Sequence, residues 1–350
     1  MQEYVDFPGY QVVVKDSLTT VIKKGYTRSF QDFRIPDAKD SRNVSSPHRG
    51  RAQLIPFPLF ERPEERALVR RYVRGGVLGR FLKGKYLNWG KPRPLKELEV
   101  SEFARSQGIP TPEILAAAVE RSSHFFYRGA IAVREISPGE DLQTLLLKNG
   151  QSFTSEIITE KRKMAASLGR LIAKMHKAGI YHADLHLKNI LLSKGAHEEL
   201  YLLDLDAARI YGRLSDFRKC MNLLRLLRSV EKMEGKRRPR EARGFGFRVS
   251  SLESKEENVI LPPLRQDQND KGNQKEKEMD SRLSGNDNSQ GQPVKKIDGI
   301  SHVVAWTDLL RFLQSYAEEL GRPVEDFKGK LLRMLPLWRL KWKLSDILGV

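Results

Sequence analysis

The chain of 350 residues has a single cysteine, Cys220, which excludes an intrachain disulfide and any metal site built from several thiolates. It lies in the helix-like run RKCMNLLRLL, where a small hydrophobe is the plain reading. Long apolar runs are missing as well. No stretch approaches the roughly 18 residues a membrane span needs, so no transmembrane helix is expected. The start, MQEYVDFPGYQVVV, lacks a basic segment leading into an apolar one and does not read as a secretory signal. Acidic residues are outnumbered: 44 Asp and Glu face 62 Lys and Arg, a net charge of +18. Such a surface attracts anions, whether nucleotide phosphates, nucleic acid, acidic lipid or a phosphorylated glycan. Nucleic acid is the weakest of these, because aromatics are not interleaved with the basic runs and no recognition motif occurs.

What is present suffices for a core: 39% hydrophobic and 30% charged residues. Strand-like runs come first, YQVVV at 10–14, RAQLIPF at 51–57 and ALVRRYV at 67–73, punctuated by Gly and Pro. LKELEVSEFARS has helical spacing and ends at Gly108 and Pro110. PEILAAAVE and FYRGAIAVREI read as strands, and GEDLQTLLLKNG as a short helix. The clearest helix covers 159–177, with Met164, Leu168, Leu171, Ile172 and Met175 at spacings of three and four, and Gly179 closing it. ELYLLDLDAARI reads as a buried strand, and DFRKCMNLLRLLRSVEKM as another amphipathic helix. Strands followed by helices predict an α+β protein of two lobes. Residues 234–298 are polar with little to bury, which predicts a disordered linker or insertion.

The chemistry concentrates in LIAKMHKAGIYHADLHLKNILL. Asp184 is followed five residues later by Asn189, and a hairpin-length gap leads to Asp204 in YLLDLD. Phosphoryl transfer from ATP needs this set: one carboxylate to take the proton of an attacking hydroxyl, and an amide oxygen with a second carboxylate for Mg²⁺. The spacing matches the catalytic loop and metal aspartate of protein kinases. The bland alternative, a polar loop entering a strand, leaves the flanking pattern unexplained. His182 reads as a scaffold for the loop rather than a base. Asp206 reads as a solvated turn acid, with assistance to a metal as the other reading.

These residues resemble the lipopolysaccharide kinase (Kdo/WaaP) family, where Kdo is 3-deoxy-D-manno-octulosonic acid. LVRRYVRGGVLGRFLKGKYLNWG, LKELEVSEFARSQGIPTPEILAA and AWTDLLRFLQSYAEE resemble further segments of it. The likeness covers roughly 48–233 and 303–320. It implies a two-lobed protein-kinase-like fold: an N-terminal antiparallel sheet lobe with one helix at 1–130, and a mainly helical catalytic lobe at 131–233, completed by C-terminal helices at 299–350. Carried over, Asp184 is the catalytic base, and Asn189 and Asp204 hold the metal. Arg70 stands for the phosphate-gripping strand lysine, with Glu97 as its ion-pair partner, and Arg71 is the alternative register. Strand alternation sends the two arginines to opposite faces, so one of them serves.

Departures from protein kinases bear on the substrate. G-x-G-x-x-G and Ala-Pro-Glu are absent, and Gly50 is the nearest phosphate-loop glycine. Ala183 stands where an arginine would sense a phosphorylated activation loop, and about a dozen residues separate Asp204 from the next helix. A peptide finds little to dock on. The resemblance implies a sugar of the lipopolysaccharide inner core, Kdo or heptose, presented on lipid A, with ATP and Mg²⁺. A compact atypical protein serine/threonine kinase is the alternative. The expected place is cytoplasmic, peripheral on the cytoplasmic face of the inner membrane against an anionic lipid surface. KGKLLRMLPLWRLKWKL, which mixes basic and large apolar residues, suits either that surface or packing on the core.

Overall fold

The computed structural model describes residues 7–36, 54–73, 85–87, 90–149, 154–195, 198–237 and 304–348. Residues 1–234 with 303–350 form one compact unit, and 235–302 are a second. Gly50, and the linker expected over 234–298 apart from 234–237, lie outside the described residues.

The first half is an antiparallel sheet. It contains β1 (Tyr10–Lys15), β2 (Leu18–Lys23), β3 (Leu54–Pro58), β4 (Arg66–Arg71), β5 (Tyr86–Leu87), β6 (Ile114–Arg121) and β7 (Phe126–Arg134). Spatial order is β1-β2-β6-β7-β4-β3, with β5 paired to β7. A one-turn helix, α1 (Thr27–Phe30), follows β2, and α2 (Arg93–Ser106) enters β6. Antiparallel sheets often leave one face wet; here both are covered. Ala116 and Ala118 of β6 join Phe30, Phe33 and Val69 on one side, while Ala117, Val119 and Ile131 join Leu95 and Leu98 of α2 on the other. Small side chains let the layers approach. A Cβ on Gly129 of β7 would stand 2.6 Å from Pro94 Cγ, so that glycine seats the first turn of α2 on the sheet.

The second half is mainly helical. It holds β8 (Gly139–Asp141), α3 (Leu142–Asn149), α4 (Ser155–Lys177), β9 (Ile180–Tyr181), β10 (Ile190–Lys194), β11 (Glu198–Leu202), β12 (Arg209–Ile210), α5 (Asp216–Arg237), α6 (Trp306–Glu319) and α7 (Val324–Leu348). Single 3-10 turns occupy Leu187–Asn189 and Leu205–Ala207. Thr154 caps α4, its hydroxyl accepting from the Ile157 amide. Leu168, Leu171, Ile172 and Met175 bury the inner stripe of α4 among Leu223, Phe312 and Tyr316. The fold class is α+β, an antiparallel sheet region followed by a helical one. ELYLLDLDAARI is not one strand: β11 stops at Leu202, because Asp204 takes a left-handed backbone (φ 58°) and turns the chain. No described helix is long and apolar enough to cross a membrane.

Candidate active site

The loop that carries Asp184 begins at Gly179. Its φ of +77° reverses the chain out of α4, and a Cβ there would sit 1.9 Å from the Tyr211 carbonyl, so only glycine fits. Ile180 and Tyr181 then pair with Ile210 and Arg209. His182 is fully buried and fastens the loop in two directions. Its Nδ1 accepts from the Asp184 amide at 3.2 Å, so Nε2 carries the proton and donates to the Leu203 carbonyl at 3.0 Å. Burial lowers the pKa of this imidazole, which stays neutral.

Asn189 is buried beside it and donates Nδ2 to the Asp184 carbonyl at 2.9 Å, while its own carbonyl accepts from the Leu203 amide at 2.9 Å. A donor is required at Nδ2, which fixes the amide orientation. Three contacts thereby gather Asp184, Asn189 and the residue preceding Asp204. The Asp184 side chain is open, 63% exposed, with His186 Nε2 3.4 Å from Oδ2. His186 is the first cause of a lowered Asp184 pKa, so the carboxylate is ionised at neutral pH.

From the sheet side, Arg70 reaches the same point. Nη2 donates to both Glu97 oxygens at 2.7 and 2.6 Å, and Nη1 donates to Asp204 Oδ1 at 2.8 Å. Arg71 points elsewhere, with Nη1 3.5 Å from the Pro36 carbonyl. Tyr72 lies under the Arg70 guanidinium and donates its hydroxyl to Glu97. Burial pushes Glu97 up to about 7 against the pull of Arg70.

Asp206 is not a solvated turn acid. Its side chain is 11% exposed and holds Arg93 of α2, with Nη2 2.7 Å from Oδ1. Arg93 rests over the rings of Tyr72 and Tyr86. Glu97, Asp204 and Asp206 offer oxygens within 4.8 Å of one another, and two guanidiniums stand among these three carboxylates. Behind the loop, Asn222 of α5 was not anticipated. Its Oδ1 accepts from the His182 amide at 3.2 Å and its Nδ2 donates to the His182 carbonyl at 2.7 Å. His176 Nε2 also meets Oδ1 at 3.1 Å, and the Tyr316 hydroxyl closes the chain at 2.8 Å from Nδ1. An asparagine inside the apolar run CMNLLRLL was the available signal.

With this geometry in place, comparison with known proteins is decisive. The model of the Lipopolysaccharide kinase (Kdo/WaaP) family matches residues 40–242. The chain belongs to this family. It is 33% identical over 177 residues to a 3-deoxy-D-manno-octulosonic acid kinase of Vibrio vulnificus (strain CMCP6), covering 50% of this chain and 69% of the relative. A second, from Stenotrophomonas maltophilia (strain R551-3), is 32% identical over 199 residues, 56% and 72% of the two chains. The solved structure titled WaaP in complex with acyl carrier protein is similar at a TM-score of 0.50 and 13% identity, over 92% of this chain and 97% of that one. That likeness supports the fold alone. Membership makes this lipopolysaccharide kinase a phosphotransferase whose acceptor is a sugar hydroxyl.

Proposed function

We propose that this kinase moves the γ-phosphoryl group of ATP to a hydroxyl of an inner-core sugar, Kdo or heptose, carried on lipid A. The observation that supports this most is the gathering of Asp184, Asn189 and Asp204 opposite the Arg70–Glu97 pair. Asp184 takes the proton as the acceptor oxygen bonds to the γ-phosphorus and the bridging bond to ADP breaks. Arg70, fixed through Nη2 by Glu97, turns its planar fork toward phosphate oxygens. Asn189 Oδ1 and the Asp204 carboxylate are hard oxygen donors that fit Mg²⁺, which when bound neutralises phosphate charge. His182 and Asn189 hold the loop so that Asp184 and Asp204 keep their separation.

The enzyme works, in this reading, at the cytoplasmic face of the inner membrane. Leu337 and Leu340 of α7 are 72% and 58% exposed, beside exposed Arg333 and Lys341, while Leu335 and Trp342 are buried. Such a face suits an anionic lipid surface. The test is phosphate transfer from labelled ATP to Kdo-lipid A and to a casein-type protein, with Asp184→Ala as control. Transfer to the glycolipid alone, reduced about 10²- to 10⁴-fold in the variant, with an unchanged melting temperature, is expected. Transfer to protein instead returns the compact protein-kinase alternative.

A further inference from the structure

One face of α5 runs beneath the Asp184 loop. Asn222 binds both His182 backbone groups, and Ser229, seven residues on, accepts from the Leu187 amide at 3.1 Å. Arg225 lies between them on the same face. It is half-buried, donates Nη1 to the Tyr181 hydroxyl, and has its guanidinium 5.5 Å from the centre of that ring. Arg70, Arg134, Arg322 and Arg339, also partly buried, each meet a carboxylate. Among the described residues Arg225 meets none. Its charge helps to lower the pKa of Asp184, after His186 and His182. Arg209 is the cross-strand partner of Tyr181, so a second, exposed cation shares that face of the two-residue ribbon.

A half-buried guanidinium is costly to leave without an anion, and its fork matches carboxylate and phosphate. We propose that Arg225 is the acceptor's anion-binding residue, gripping a carboxylate or phosphate of the incoming glycolipid next to the hydroxyl that Asp184 activates. The assignment rests on Asp184 as the base, and it deepens that reading. Tyr181 holds Nη1 and so aims the remaining donors of the guanidinium. The substrate class is therefore a sugar with an anionic substituent close to its reacting hydroxyl. Neutral sugars are selected against, because they leave Arg225 unpaired.

The full-length enzyme is assayed with three acceptors: Kdo-lipid A, the same with its Kdo carboxylate as methyl ester, and the same with lipid A dephosphorylated. The wild type is expected to lose about 10- to 100-fold in kcat/KM on one of the two altered acceptors. Loss on the ester identifies the carboxylate, and loss on the dephosphorylated acceptor identifies a phosphate. Arg225→Gln should raise KM for intact Kdo-lipid A by the same factor and erase the discrimination, with KM for ATP and the melting temperature as in wild type. Arg225→Lys should recover part of it. Equal use of all three acceptors by the wild type, or an unchanged acceptor KM in Arg225→Gln, overturns the proposal while leaving the kinase reading intact. A wild type that phosphorylates neither these three nor a heptose-bearing Kdo-lipid A overturns both.

Discussion

Asp204 is approached from two sides that are built differently. On the sheet side the contacts are ionic: Arg70 on Glu97 and Asp204, and Arg93 on Asp206. On the α5 side they are neutral hydrogen bonds, from Tyr316 through His176 and Asn222 to His182 and the Leu203 carbonyl. The contrast follows from what each side must do. In the proposed function phosphates arrive at the sheet side, where charge has a partner to exchange. The other side only has to keep one loop in one shape, and buried neutral groups that are fully bonded do so without an uncompensated ion.

Removing a charge from the sheet side should do most damage. Glu97→Gln leaves the buried Arg70 guanidinium with Asp204 as its one carboxylate, a loss of about 3 kcal/mol. A lowered melting temperature and a raised KM for ATP would be the readouts, with Arg70→Met in the same chain recovering stability but not turnover. On the neutral side, Asn222→Leu leaves the His182 amide and carbonyl and His176 Nε2 unpaired, at about 1–3 kcal/mol for the buried groups. Here kcat should fall with little change in KM for ATP, since the phosphate side is untouched; steady-state kinetics distinguish the two. Arg93→Gln should be milder, about 1 kcal/mol at most, because Arg93 is 39% exposed and solvent screens its pair. Its effect should shrink as salt rises, which thermal melts at two ionic strengths would measure.

The last effect is nil at neutral pH and sharpens the contrast as pH falls. Burial drives the His176 pKa down to about 3. Between its ordinary value near 6.5 and that point, the unfolded chain binds a proton there and the folded protein does not. Stability contributed by neutral His176 is present above about 6.5 and is lost as pH falls toward 3, by about 1.4 kcal/mol per unit. His176→Gln removes this dependence. The stability gap between wild type and variant should therefore narrow from pH 7 to pH 4 in denaturant titrations.

Much of this arrangement was legible along the chain because its signals are local. The stripe of α4, the Gly179 exit and the spacing of Asp184, Asn189 and Asp204 lie within fifty residues. The strand run ALVRRYV was visible too, and alternation limited the choice to one arginine; the structure turns Arg70 inward. What escaped depends on partners far away in sequence. Asp206 looked like a surface acid because Arg93 stands 113 residues earlier. Asn222 reads as an oddity in an apolar helix until His176 and His182 are brought beside it. β2 carried β-branched residues in LTTVIK, yet its pairing with β6, a hundred residues on, gives it a central place. The break after β11 left no trace in hydrophobicity, since apolar residues continue past Asp204 while the backbone alone turns.

The double tether of α2 has a thermodynamic corollary. Arg93 and Glu97 lie one turn apart on that helix, and both lead to the Asp204–Asp206 turn, one directly and one through Arg70. Whatever draws Asp204 away from Arg70 must therefore also relax the helix, and whatever shifts the helix must reposition Asp204. Coupling of this kind runs equally in both directions. Nucleotide arriving at one end should be felt as a change in mobility at the other.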